Sequence, residues 1–179
     1  MPTAAEDGKV LSVDAVPAFK SGGAYEIPDR HLGQWIKTDP SIHKIKATAK
    51  NKQMGGTWVP LVKMLKAWNR SQGKPIKPSF LIEVMAHDLV QPTFNSYPDE
   101  IRRFFGAAQD AVSQDWPDPA GYGPPVSDQM TPAKIDIARA ALRQADMQAA
   151  KAQRLETQGK QGEALKTWRD ILGDYFPLS

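Results

Sequence analysis

The sequence predicts a mainly helical α+β chain. Three observations carry this: two short apolar runs before Gly33, a change to helical spacing after it, and a stretch from Thr131 to Gln158 with no breaker beyond Pro132. The first run, Lys9 to Val16, ends at Pro17, and the second, Ala24 to Ile27, ends at Pro28. Lys20-Ser21-Gly22-Gly23 lies between them, a Gly-rich connection of hairpin length, so the two runs are expected to pair as short antiparallel strands.

Beyond Gly33 the chain is expected to be helical. Pro40 and Ser41 open a basic helix over Ser41 to Lys52, and Gly55-Gly56 closes it. Thr57 is placed to cap the next helix, whose Trp58, Leu61, Val62, Leu65 and Trp68 fall on one face, with Pro60 tolerated in the first turn. Gly73 and Pro75 stop it, Ser79 caps Phe80 to Leu89, and Pro98-Asp99-Glu100 starts a helix reaching about Gln114. Trp116 to Met130 holds four prolines and two glycines and reads as a surface loop or tether. Thr131-Pro132 then starts a helix of roughly 27 residues and ~40 Å. Its stripe of Ile135, Ala138, Leu142, Ala145, Ala149 and Ala152 suits close packing against another helix. A last helix, Gln161 to Leu172, carries Leu165 and Trp168.

Composition narrows the function. A hydrophobic fraction of 41% with 24% charged residues is too apolar for a chain disordered throughout. No apolar stretch approaches the ~20 residues of a membrane span, and Met1 to Lys9 lacks a signal-peptide core, so a cytoplasmic protein without a membrane partner is expected. Without cysteine there is neither a disulfide nor a thiolate nucleophile. A net charge of +3 is far below the basic density of a duplex binder and gives no strong nucleic-acid signal. His31, His43 and His87 lie in separate segments without helical metal-site spacing and read as non-ligands.

Few residues could carry chemistry. Asp14 stands inside an otherwise apolar run, where a carboxylate needs a partner or a cation. It either holds Mg²⁺, which favours oxygen ligands, or points outward into water. Lys63, Lys66 and Arg70 line one face of their helix opposite Trp58, Leu61, Leu65 and Trp68. That row either grips the phosphates of a nucleotide or is a solvated face. Ser79 sits where a hydroxyl caps a helix and where a phosphate can be received. Glu83 is either the partner of one of these cations or an exposed position. Tyr25, Asp29 and Arg30 either line a cleft or close a turn.

Taken together, five segments resemble one family. They are Val13-Asp14-Ala15-Val16-Pro17-Ala18-Phe19, Tyr25-Glu26-Ile27-Pro28-Asp29-Arg30, Trp35-Ile36-Lys37-Thr38-Asp39-Pro40, Leu65-Lys66-Ala67-Trp68-Asn69 and Ser79-Phe80-Leu81-Ile82-Glu83. In this order they look like the carboxyl-terminal portion of the bacterial cGAS/DncV-like nucleotidyltransferases, which are similar to oligoadenylate synthases. The tail from Ala164 to Gly173, followed by Phe176-Pro177, also resembles the way those chains end. The resemblance implies a partial polymerase-β-like palm at residues 1–33 and a helical nucleotide-binding domain at 34–179. It further implies nucleoside triphosphates as substrates, Mg²⁺ (or Mn²⁺) as cofactor, and a cyclic or linear oligonucleotide messenger of the antiphage-signalling type as product. Asp14 matches the family's third metal-binding and catalytic Asp. Lys66, with Lys63 one turn earlier, matches its phosphate-contacting Lys, and Ser79 its phosphate-contacting Ser.

The pattern also departs from the family. The thirteen residues before Asp14 hold neither the Gly-Ser turn nor the Asp-x-Asp pair. The expectation is therefore a chain inactive alone, which is either a fragment, a mis-started reading frame, or one half of a split enzyme whose partner is a separate amino-terminal half. The alternative is a non-catalytic helical module that binds nucleotide, RNA or protein through its basic helix face.

Overall fold

A computed structural model describes residues 3–4, 10–11, 15–29 and 32–178. The fold is mainly helical α+β. It contains a two-stranded pair, β1 (Thr3–Ala4) with β2 (Val10–Leu11), and a three-stranded antiparallel sheet ordered β3 (Phe19–Ser21), β4 (Ala24–Asp29) and β5 (Gln34–Thr38). Six helices follow: α1 (Pro40–Gln53), α2 (Trp58–Ser71), α3 (Phe80–Leu89), α4 (Tyr97–Ala111), α5 (Pro132–Thr157) and α6 (Gln161–Leu172).

The sheet differs from the sequence expectation in two places, each with a physical reason. Gly22 and Gly23 both take positive φ, +55° and +85°, which makes a two-residue hairpin turn that pairs Ser21 directly with Ala24. The partner of β4 is therefore Phe19–Ser21; of the expected first strand, Val10–Leu11 pairs with Thr3–Ala4 instead, and residues 15–16 lie outside the ladder. Gln34–Thr38, expected to lie in the helical part, is the third strand, with Ile36 opposite Ile27 and Trp35 opposite Pro28. Trp, Ile and Thr suit a pleated surface, and five residues are too few to show a period.

The helices form where expected. Asp39 caps α1, accepting from Ser41 N at 2.9 Å, with Pro40 in the first turn. Ser96 caps α4, accepting from Asp99 N at 3.3 Å. Thr57, Ser79 and Thr131, each expected to cap, make no side-chain capping bond. For Thr57 and Ser79 the reason is local: both already have helical backbone angles, which turn the hydroxyl away from the free N–H groups. The Thr57 hydroxyl donates back to Met54 O at 2.7 Å, and Val59 N is met instead by Asn51 Oδ1 at 3.0 Å.

α2 is the hub and touches α1, α3, α4 and α6, while α5 lies along α4 and α6. Leu61, Leu65 and Trp68 of α2 are buried with Leu81, Ile82 and Met85 of α3 and Ile101, Phe104 and Phe105 of α4. The Trp68 and Phe105 rings meet at 4.9 Å. Side chains buried this completely stabilise the fold by about 1.5–3 kcal/mol each. On α5 the buried stripe is Ala138, Leu142, Ala145, Ala149 and Ala152, small enough for the helix to lie close to its neighbours. Among the described residues no helix is long and apolar enough to cross a membrane.

Candidate functional site

The basic face of α2 meets α3 at one point. Lys66 Nζ contacts Glu83 Oε1, with the two side chains 30% and 29% exposed. Glu83 is thereby the partner of Lys66 and not a solvated position. Ser79 is four residues before Glu83, so it lies on the same side of α3 about 6 Å along the axis from the ion pair. Its side chain is exposed. Lys63, one turn from Lys66 on α2, and Arg70 are also exposed. Lys66 and Glu83 are thus brought together across α2 and α3, with Ser79 one turn before Glu83 on α3 and Lys63 one turn before Lys66 on α2. Asp14, together with Arg30 and His31, lies outside the described residues.

Asn69 sets the geometry of the turn that delivers Ser79. Its side chain is buried, donating from Nδ2 to Ile76 O and accepting from Ile76 N, both at 3.0 Å. The backbone carbonyl of Asn69 also accepts from Lys74 N at 2.7 Å. One amide thus pins the return from α2 to α3.

Beside this edge is a cavity of about 320 Å³. His43 from α1, Trp58 from α2, and Phe80, Glu83 and His87 from α3 wall it on one side, and the segment after α4, with Trp116 and Asp118, closes the other. Of the two expectations for that segment, surface loop or tether, it is a loop, fastened to the helices at several points. Trp116 is buried, its indole Nε1 donating to Ala111 O at 2.9 Å and its backbone N to Ser127 Oγ at 2.9 Å. Lys46 Nζ reaches across from α1 to Pro119 O at 2.6 Å.

Asp118 organises the loop. Its carboxylate accepts from the N–H groups of Ala120, Tyr122 and Gly123 at 3.1–3.2 Å and contacts His43 Nε2 at 2.9 Å. Burial alone would raise this carboxyl. The N–H groups of Gly123 and Ala120, the His43 ring and the N–H of Tyr122 together outweigh it and hold the group below its ordinary value. A folded carboxyl that gives up its proton more readily than the unfolded one stabilises the fold at neutral pH. That stability is lost as acid protonates it, from about pH 5 downward. Asp118→Asn is therefore expected to be less stable than the wild type at pH 7 and to lose less on transfer to about pH 3. Urea unfolding at both pH values checks this, and equal acid sensitivity of the two proteins contradicts it.

Among the described residues no group of three or more His, Asp or Glu side chains could hold a metal ion. His43 is engaged by Asp118, and His87 Nδ1 by Asp88 at 2.8 Å. The described residues therefore do not fit a resident Mg²⁺ site, and no chemical step through a metal is assigned to them.

The cavity was not legible in the sequence. In the sequence His43 and His87 show only the lack of metal-site spacing, and Trp116-Pro117-Asp118-Pro119 has the composition of a loop. The available signal was Asp118 itself, since an Asp followed by Pro and small residues commonly gathers nearby backbone N–H groups and folds a loop tightly.

No family model matches the chain. It is 31% identical over 174 residues to a probable cyclic nucleotide synthase of Bacillus cereus (strain VD146), an alignment covering 92% of this chain and 51% of that one. It is 28% identical over 186 residues to a cyclic AMP-AMP-AMP synthase of Acinetobacter sp. (strain ATCC 27244 / 9458), covering 96% and 52%. The chain thus spans about half the length of the curated relatives it matches. Its fold superposes on the structure of CdnC from E. coli MS115-1 with ATP at a TM-score of 0.76 and 18% identity, covering 90% of this chain and 59% of that one. In sequence the chain thus resembles about half of two cyclic nucleotide synthases, and it shares the fold of the CdnC structure, a resemblance to the bacterial cGAS/DncV-like nucleotidyltransferases.

Proposed function

We propose that this chain supplies the triphosphate-gripping lobe of a nucleotidyltransferase that makes cyclic or linear oligonucleotide messengers, of the antiphage-signalling type, in the cytoplasm. The observation that carries it is the α2–α3 edge, where Lys66 of α2 is half-buried against Glu83 of α3, with Ser79 at the start of α3 one turn before Glu83. Lys66 offers a positive point charge and Ser79 a hydroxyl, which is the complement of a phosphate chain. Lys63, one turn from Lys66, extends the positive edge. Two sequence relatives are cyclic nucleotide synthases, which supports nucleoside triphosphates as the ligands.

In this reading residues 34–179 hold the nucleotide, and residues 1–33 contribute Asp14 to a shared palm. Asp14 is the catalytic carboxylate of this chain and its residue for Mg²⁺ or Mn²⁺. The metal supplies charge neutralisation at the phosphates when bound. The residues given hold neither a Gly-Ser turn nor an Asp-x-Asp pair, so the remaining metal carboxylates of this reading lie outside them. The residues of this lobe bind and orient the triphosphate.

The polypeptide with ATP, GTP and Mg²⁺ is therefore expected to release no pyrophosphate. Co-expressed with an amino-terminal half that carries both motifs, it is expected to yield an oligonucleotide detectable by mass spectrometry. Asp14-dependent turnover by the polypeptide alone, or product formation unaffected by Lys66→Ala in the reconstituted pair, contradicts the proposal.

A further inference from the structure

We propose that the outward face of α1 rests on an anionic lipid leaflet and attaches the chain peripherally to a membrane surface. The distribution of charge comes first. Residues 40–82 carry nine Lys and Arg residues and no Asp or Glu, so all 20 acidic residues of the chain lie outside them. This stretch forms α1, α2, the turn between α2 and α3 and the start of α3. Glu83, the first carboxylate after it, is taken up by Lys66. Cations gathered without counter-charges repel one another and attract an anionic surface.

The four lysines of α1 divide into two pairs. Lys46 Nζ donates to Pro119 O and Lys50 Nζ to Val90 O, so these two reach back over the fold. Lys44 and Lys52 are exposed, and among the described residues neither has an ion pair or a side-chain hydrogen bond. Ser41, Ile45, Thr48 and Lys52 recur at i, i+4, i+7 and i+11, one line along the helix with Lys44 beside it, and all five are exposed. Ile45, in the middle of that line, is 65% exposed. α1 buries none of its residues and so lies at the periphery of the fold.

Side-chain chemistry selects the partner. Every cation of α1 is a lysine. An arginine fork matches a carboxylate or phosphate two bonds at a time, whereas a lysine ammonium is a hydrated point charge that fixes no partner geometry. Such charges suit a diffuse anionic surface better than a shaped acidic pocket. Ile45 separates the diffuse surfaces from one another. A nucleic-acid backbone gives an aliphatic side chain nothing to be buried in, and the two tryptophans of α2 are buried and offer no face for base stacking. A leaflet sets anionic headgroups above an acyl layer, so Ile45 leaves water while Lys44 and Lys52 stay at the headgroups. A helix that lies on a leaflet need not be long enough to cross it. This attachment uses none of the side chains of the proposed triphosphate site.

The test is co-sedimentation of the full chain with vesicles of phosphatidylcholine alone and with vesicles holding roughly one-third phosphatidylglycerol. Binding to the anionic vesicles at low salt, none to the neutral ones, and release at high salt are expected. Lys44→Ala and Lys52→Ala are each expected to weaken binding by about fivefold. Ile45→Ser, which leaves the charge unchanged, is also expected to weaken it by about fivefold. All three positions are exposed, so the variants are expected to melt as the wild type does. Absence of binding to anionic vesicles, equal binding to neutral ones, or binding unchanged in Ile45→Ser overturns the proposal. A duplex oligonucleotide that binds through Lys44 and Lys52 where vesicles do not bind also overturns it and gives the face to nucleic acid.

Discussion

Asn69→Ala is expected to lower the stability of the fold by about 2–4 kcal/mol. The side chain is 1% exposed and serves both backbone groups of Ile76, itself fully buried. Truncation leaves a buried N–H and a buried carbonyl without partners, each costing about 1–3 kcal/mol, and removes the clasp on the turn between α2 and α3. For a chain of this size the melting temperature falls by roughly 2–4 °C per kcal/mol, so a drop of about 5–15 °C is expected. Asn69→Asp keeps the acceptor for Ile76 N and loses the donor to Ile76 O, so it separates the two bonds. Urea unfolding with unchanged m-values measures both variants. A melting temperature within about 2 °C of wild type for Asn69→Ala would exclude the clasp.

Lys66→Ala is expected to weaken ATP binding by about 10–100-fold, the range for a lost hydrogen bond to a charged group. Its effect on stability is expected to be small. The ion pair with Glu83 is nearly one-third exposed on both sides, and pairs so placed contribute about 1 kcal/mol or less. Glu83 and a phosphate compete for the same ammonium, so Glu83→Gln is expected to tighten ATP binding by a few-fold where Lys66→Ala loosens it. Opposite signs for two neighbours distinguish phosphate capture from a general disturbance of the α2–α3 packing. Salt is expected to shrink both effects, because the site is partly open to solvent. Calorimetric titration at low and high salt reads all of this, and changes of the same sign in both variants would contradict it.

Much of the helical part was legible because its signals are local. Gly55-Gly56 and Pro40 bracket α1, the spacing from Trp58 to Trp68 describes α2, and the unbroken run after Pro132 describes α5. The sheet was less legible. The register at Ser21 and Ala24 follows from two glycines, but that Trp35 and Ile36 form a strand depends on β4 lying beside them, which no local pattern encodes. Lys63, Lys66 and Ser79 could be singled out by residue type and helix position. The Lys66–Glu83 contact could not, since it requires the angle at which α3 returns across α2. The cavity was harder still, because its walls come from segments more than seventy residues apart, as His43 and Asp118 show. The role of Asn69 was also hidden: the sequence places it on the buried side of α2, but not opposite the backbone of Ile76.

The proposed phosphate edge can be isolated from both base recognition and catalysis by titrating inorganic triphosphate into the wild type and the Lys66→Ala/Ser79→Ala double variant, each first shown to melt cooperatively. Binding to the wild type that the double variant loses is expected. Equal heats and equal affinities in the two proteins would show that the edge between α2 and α3 does not hold phosphate.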